Sequence, residues 1–215
     1  IDRRAGGRDL SASLVRAIGD RHRGIGFDQL AEILPPEGDE AARLVFWNAD
    51  GSLSSACGNA TRCIARHLMD ALGVDALTLV TERGRLEARD AGGGLTSVNM
   101  GPPVLDWQSI PLAREVDVDA LPIEGSPVAT GMGNPHCVVF CDGPLDALPW
   151  RDWGRTLEVH ELFPNRTNVQ FFRAIDRHQI EMRIWERGAG PTSASGSSAV
   201  AVFCVARRLG WLGPS

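Results

Sequence analysis

Two positions with matched surroundings carry the chemistry this sequence offers. Cys57 lies ten residues after Trp47 in the stretch Trp47-Asn48-Ala49-Asp50-Gly51-Ser52-Leu53-Ser54-Ser55-Ala56-Cys57-Gly58-Asn59. Ser195 lies ten residues after Trp185 in Trp185-Glu186-Arg187-Gly188-Ala189-Gly190-Pro191-Thr192-Ser193-Ala194-Ser195-Gly196-Ser197. Both are preceded by alanine and followed by glycine, and both precede a helical pattern ending in a related phrase, Ala65-Arg66-His67-Leu68 and Ala206-Arg207-Arg208-Leu209. A thiol at a helix start meets unpaired backbone N–H groups and the positive end of the helix dipole, which favour the thiolate. The same N–H groups can hold a carboxylate. Cys57-Gly58-Asn59 therefore supplies a base and an anion site. Ser195-Gly196-Ser197 supplies the anion site with a much weaker base, because a hydroxyl needs an activating neighbour. Simple capping by Ser or Asn would explain either junction taken singly; the matched spacing of the two points to one shared function. His136, in a glycine-rich loop, and Glu186, beside Arg187, are the candidate acid–base helpers. The competing readings are a hydrogen-bonded structural histidine and a solvated ion pair.

The elements that must position these groups follow from periodicity and punctuation. Helices are predicted from Ser11 to Ile18, from Ala60 to a stop at Gly73, from Asp146 to Leu157 and from Ser197 to Leu209. The last is apolar nearly all round and is predicted to be buried on every side. Strands are predicted over 30–34, 43–47, 76–82, 85–88, 95–100, 126–130, 137–141 and 179–185, with a further one near 110–116. Residues 1–8 read as the end of a strand, and Arg166 to Phe172 echoes Arg23 to Leu30. The expected fold is α+β, with two pseudo-symmetric domains, each a curled, mostly antiparallel sheet around a central helix. They are assigned as 1–115, carrying Cys57, and 116–215, carrying Ser195.

Composition narrows the partners. The chain has 215 residues, 43% of them apolar and 23% charged, and 22 basic against 27 acidic side chains give a net charge of −5. That is enough apolar material for a core, and the charge leaves no footprint for nucleic acid or an anionic membrane. No apolar run approaches a membrane span, and Ile1-Asp2-Arg3-Arg4 does not read as a signal peptide, so the cytoplasm is the expected location. Five cysteines with no Cys-x-x-Cys pair argue against a disulfide framework or a structural zinc. Cys63, Cys141 and Cys204 are expected to be buried small hydrophobes.

Five motifs, in order along nearly the whole chain, resemble the diaminopimelate epimerase family. They are Asn48-Ala49-Asp50-Gly51-Ser52, Ala56-Cys57-Gly58-Asn59 with Arg62-Cys63, Gly131-Met132-Gly133-Asn134-Pro135-His136-Cys137, Arg166-Thr167-Asn168-Val169, and Glu186-Arg187-Gly188-Ala189-Gly190. The resemblance implies two similar domains with the substrate in the cleft between them. It implies epimerisation with no cofactor and no metal: two cysteines face the α-carbon from opposite sides, one removing the proton and the other returning it. Carried over by position, Cys57 is one base, with His136 and Glu186 tuning the pair. Gln29, Asn48, Gly58, Asn59, Asn134, Asn168, Glu186, Arg187, Gly196 and Ser197 would hold the substrate's amino and carboxylate groups. The expected partner is a small amino acid, diaminopimelate, in lysine and cell-wall precursor synthesis. The oligomeric state is open, with a homodimer as the expectation.

Three departures qualify this. The family's second cysteine is Ser195 here, poorly matched to proton abstraction near neutral pH, and the sequence leaves open whether that serine is natural. The family's opening strand with a Gly-Asn-Asp-Phe segment, and its last strands, are not matched, so both ends are expected to be trimmed. Two alternatives remain. One is a family member with an altered reaction, such as a hydroxyproline-type dehydratase or another amino-acid racemase. The other is a catalytically impaired binding protein.

Overall fold

Alternating burial builds the first sheet. The structure is a computed structural model describing residues 1–213, and its chain divides into two compact units, Ile1–Met100 and Gly101–Ser215. In the first unit, β1 (Gln29–Leu34) and β2 (Ala42–Asn48) pair antiparallel, and Ala42, Leu44 and Phe46 of β2 point into the core while Arg43, Val45 and Trp47 are only half-buried. A short strand, β3 (Leu53–Ser54), folds back on β2, with Trp47 opposite Leu53. β4 (Ala76–Thr81), β5 (Gly84–Gly92) and β6 (Leu95–Val98) extend the sheet in the order β1-β2-β4-β5-β6, and β2–β4 is its one parallel strand pair.

Helix α1 (Ala12–Gly19) starts at Ser11, whose hydroxyl accepts from the Leu14 N–H at 3.3 Å. Helix α2 (Gly58–Leu72) buries Thr61, Ala65, Leu68 and Met69 against the sheet and stops at Gly73, which takes φ 67°. Leu68 is fully buried in the cluster with Phe46, Leu79 and Ala88, and a buried leucine of this kind contributes about 1.5–3 kcal/mol.

The second unit has β7 (Val128–Gly131), β8 (Pro135–Phe140), β9 (Asn168–Ala174), β10 (Ile180–Glu186) and β11 (Gly190–Thr192), ordered β11-β10-β9-β8-β7, with only β8–β9 parallel. Both faces of this sheet are covered. Cys137, Val169 and Phe171 pack with Trp150 of α3 (Trp150–Glu158), while Gln170 bonds to Ser198 of α4 (Gly196–Arg208) on the other face.

Several expectations shift. The helix expected over 146–157 begins at Trp150: Leu148 is extended (ψ 148°) before Pro149, as proline requires of its predecessor, and a separate 3-10 turn covers Leu145–Ala147. Residues near 110–116 form turns rather than a strand; Ile110 and Leu112 are buried in the second unit's core, and Val104 bridges to Gly131. The segment 101–115 thus packs in the second unit, although the sequence placed it in the first half. Helix α4 is not buried all round, because Ala199, Phe203 and Arg207 form an exposed stripe at fourfold spacing, with Phe203 49% exposed. The strands β3 and β11 are too short to leave a periodic signal.

Candidate active site

The first unit's candidate residues lie on and beside a turn stitched by its own polar side chains. The Asp50 carboxylate accepts from the Ser52 backbone N–H (2.8 Å) and hydroxyl (2.6 Å), and these bonds hold its pKa below the ordinary carboxylate value. Gly51 adopts φ 81° with its α-carbon pressed on α1: a Cβ there would lie 2.4 Å from the Ala12 carbonyl oxygen. The turn presents Asn48, whose amide N–H donates to the Ser52 hydroxyl at 3.0 Å. The Gln29 amide N–H donates to Asn48 Oδ1 (3.1 Å) and to the Ser54 hydroxyl (3.2 Å), and Ser54 donates on to the Ala56 carbonyl (3.1 Å). Gln29, Asn48 and Ser54 are thus one connected group ending at the residue before Cys57. Cys57 caps α2 with φ −146°, and its own side chain makes no capping hydrogen bond. Gly58 and Asn59 are the helix's first two residues, Asn59 exposed. A cavity of about 290 Å³ lies nearby, lined by Phe46, Leu53, Ser54 and Thr81, and holds none of the candidate reactive side chains.

The second unit repeats the frame with different polar chemistry. Trp185 opposes Pro191 in the β10–β11 hairpin as Trp47 opposes Leu53 in β2–β3, and four residues further on in each case comes the helix cap. Ser195 caps α4 with φ −146°, the same value as Cys57, and is buried. Gly196 and Ser197 open the helix. The carboxylate of Glu158, at the end of α3, accepts from the Trp185 indole N–H (2.7 Å) and the Gly188 N–H (2.8 Å), holding both flanks of Glu186-Arg187. Asn168 accepts from the Arg187 N–H (3.0 Å) and donates to the Pro135 carbonyl (3.0 Å), so it staples two candidate segments together. Burial pushes the Arg187 guanidinium's pKa down, with Glu158 opposing the shift, and an arriving carboxylate would relieve that desolvated charge.

His136 is not in a loop. It is the second residue of β8 and fully buried, with Gln170 Nε2 3.0 Å from its Nδ1 and Asn134 Oδ1 2.8 Å from its Nε2. Sequence reading missed Glu158, Gln170 and Ser54. Each acts through a partner distant in the chain, so no local motif marks it.

The other cysteines separate from Cys57. Cys137 is buried and its thiol is pushed up to about 12, and burial raises Cys141 and Cys204 as well. Cys63 is exposed on α2, against the expectation of burial. None of the five forms a disulfide, and no cluster of three or more metal-ligating side chains occurs among the described residues.

Duplicated α+β units of this kind define a class. A hydroxyproline epimerase from Agrobacterium vitis, crystallised with bound trans-4-hydroxy-L-proline, matches the fold at TM-score 0.67 and 13% identity over 94% of this chain and 66% of that one. A phenazine biosynthesis protein of the PhzF family from Bacillus anthracis matches at TM-score 0.62 and 16% identity over 92% and 70%. The family described as diaminopimelate epimerase matches residues 2–105 and 128–213. Proteins named diaminopimelate epimerase are similar at 42% identity in Caulobacter vibrioides, over 94% of this chain and 75% of the relative. In Acidiphilium cryptum the figure is 44%, over 98% and 76%. The chain belongs to the diaminopimelate epimerase family, a family of isomerases.

Proposed function

We propose that this protein acts on diaminopimelate without a cofactor, moving the proton on the α-carbon that interconverts the LL and meso forms. The observation that carries the reading is the duplicated helix cap, Cys57 and Ser195 at the same register and the same φ, in a chain of this family. The Cys57 thiolate takes the α-proton, leaving a carbanion whose carboxylate the helix N–H groups stabilise. Reprotonation on the opposite face is the task of residue 195. Gln29, Asn48, Gly58 and Asn59 in one unit, and Asn134, Asn168, Glu186, Arg187, Gly196 and Ser197 in the other, hold the amino and carboxylate groups. His136 and Glu186 are assigned to tuning the pair. Lysine and cell-wall precursor synthesis in the cytoplasm, and a homodimeric state, complete the proposal; no helix among the described residues is long and apolar enough to cross a membrane.

A second reading rests on Ser195 itself. With a hydroxyl in place of the second thiol, one face has a competent base and the other does not, so the protein would exchange the α-proton without inverting the centre. The discriminating experiment is incubation with LL-diaminopimelate in deuterated water, following α-deuterium and meso product by NMR. Deuterium with meso product supports two-sided transfer, and deuterium without it supports the one-base reading. Absence of exchange even in Ser195→Cys would overturn both.

A further inference from the structure

We infer that Ser54 is a positioning residue for Cys57. Its hydroxyl holds the Ala56 carbonyl, which sets the backbone of the reactive cysteine and keeps the negative end of the Ala56–Cys57 peptide off the thiolate. Thr192 holds the matched place before Ser195. That Cys57 is the base rests on the function proposed above; the setting of its backbone does not.

Ser54 is the last residue of β3 and opposes Phe46, the residue before Trp47. Thr192 is the last residue of β11 and opposes Ile184, the residue before Trp185. Ser54 Oγ donates to the Ala56 carbonyl at 3.1 Å, and Thr192 Oγ1 lies 3.5 Å from the Ala194 carbonyl, a longer form of the same contact. The cap residue that follows has φ −146° in both units, whereas ψ is 91° at Cys57 and 121° at Ser195. The contacts divide in the same way. After the cap, the Cys57 carbonyl accepts from the Thr61 N–H and the Thr61 hydroxyl, each at 2.9 Å, while the Ser195 carbonyl accepts from the N–H of Ala199, which has no hydroxyl. A planar trans peptide turns as one body, so a held carbonyl fixes the direction of the next N–H and with it φ. Sterics allow extended backbone over roughly −60 to −160° and do not select one value twice. The shared φ goes with the shared hydroxyl before the cap, and the differing ψ with the hydroxyl after it.

In the first unit the direction of the Ser54 proton follows from a carboxylate. Ionised Asp50 only accepts, so the Ser52 hydroxyl gives it its proton, at 2.6 Å. Ser52 Oγ must then accept from Asn48, 3.0 Å away, which turns the Asn48 –NH2 toward Ser52 and its Oδ1 toward Gln29. Gln29 meets that oxygen with its –NH2 at 3.1 Å, and the same nitrogen reaches Ser54 Oγ at 3.2 Å. Ser54 accepts there, and its one proton goes to the Ala56 carbonyl. Turning either amide over alone would set donor against donor or acceptor against acceptor. Without the hydroxyl, the Ala56 oxygen would lose this donor one peptide from the thiol. Its partial negative charge would then oppose ionisation of Cys57.

Ser54→Thr and Ser54→Val match in shape and differ by the hydroxyl, and threonine already serves in the second unit. In the 215-residue chain without substrate, iodoacetamide labelling is followed by mass spectrometry across the neutral and alkaline range. Cys63, exposed on the same helix, is the internal reference. Ser54→Thr should keep the wild-type ratio of Cys57 to Cys63 labelling. Ser54→Val should lower that ratio at neutral pH about fivefold, the weight of one neutral hydrogen bond, and move the Cys57 pH profile to higher pH. Ser54→Ala repeats the comparison should Ser54→Val lack the native circular dichroism. Equal ratios and profiles in the threonine and hydroxyl-free variants overturn the inference. Faster Cys57 labelling without the hydroxyl overturns it too, since the hydroxyl would then restrict access rather than support the thiolate. The readout involves no turnover, so a failure of the proposed epimerisation would appear in the deuterium experiment and leave this result standing.

Discussion

Removing the Glu158 carboxylate should cost the second unit about 3 kcal/mol. Glu158 is 7% exposed and accepts two hydrogen bonds, from the Trp185 indole at 2.7 Å and the Gly188 amide at 2.8 Å. Arg166 adds an ion pair at 3.6 Å, but that guanidinium is 60% exposed and contributes little. In Glu158→Ala the indole N–H, on a tryptophan only 8% exposed, loses its acceptor inside the core. An orphaned buried donor costs about 1–3 kcal/mol, and the bond lost was charge-assisted. Gly188 is exposed, so water can take over its N–H for roughly 1 kcal/mol or less. Glu158→Gln keeps one acceptor and sets an –NH2 against the other donor, which predicts an intermediate loss of about 1–2 kcal/mol. Urea unfolding followed by tryptophan fluorescence measures both variants, with Glu161→Ala, an exposed neighbour, as the control. Equal midpoints for Glu158→Ala and Glu161→Ala, at unchanged m-value, would refute the account of how the Glu186–Gly190 segment is held.

Other expectations follow from the same structure. Gly51→Ala should destabilise the first unit by about 2–3 kcal/mol in urea melts, because φ 81° is strained for alanine and its Cβ would meet the Ala12 carbonyl. Limited iodoacetamide labelling near neutral pH, read by mass spectrometry, should modify Cys57 well before Cys204 and leave Cys137, pushed up to about 12, unlabelled in the native state; equal rates at Cys57 and Cys204 would count against a helix-end thiolate. The pH dependence of the Asn48–Ser52 turn has a definite sign. The Asp50 pKa is lowered on folding, chiefly by the Ser52 hydroxyl, so its contribution is complete above the unfolded carboxylate value near 3.8 and is lost as pH falls through the lower folded value. Hydrogen exchange at the Gly51 and Ser52 amides, corrected for intrinsic rates, should therefore lose protection only in acid, and Asp50→Asn should show the reduced protection at neutral pH.

What the sequence made legible was whatever is local or repeated. The matched tryptophans placed the two helix caps in register, and the structure gives Cys57 and Ser195 the same φ. Helix α2 could be read because its apolar residues keep one face and Gly73 ends it. Pro149 stands inside the helix predicted over 146–157, and the extended Leu148 shows which way that conflict resolves. Burial around α4 was overread, since an apolar composition cannot say which side of a helix meets a sheet; Phe203 lies on the side that does not. The domain division lay beyond reach for a related reason. Residues 101–115 have no strand or helix of their own, and their allegiance is decided by Ile110, Leu112 and the Val104–Gly131 bridge.

The polar contacts behind the duplicated frame were least legible, and they are where the two units differ most. Each matched tryptophan needs an acceptor for its indole N–H. In the first unit it is Glu32 on β1, the strand beside Trp47, at 3.1 Å. In the second it is Glu158 at the end of a helix, at 2.7 Å. The demand is inherited with the tryptophan and the donor of the carboxylate is not, so alignment of the two copies cannot find it. The same holds for the amides. Gln29 orients Asn48 directly across a strand pair, whereas Gln170 reaches Asn134 through an imidazole. In the first unit the Asn48 oxygen accepts directly from Gln29, and in the second the Asn134 oxygen lies against His136 Nε2. The backbone frame persists in the unit that carries Ser195, and at the matched cap a hydroxyl stands where the first unit has the Cys57 thiol.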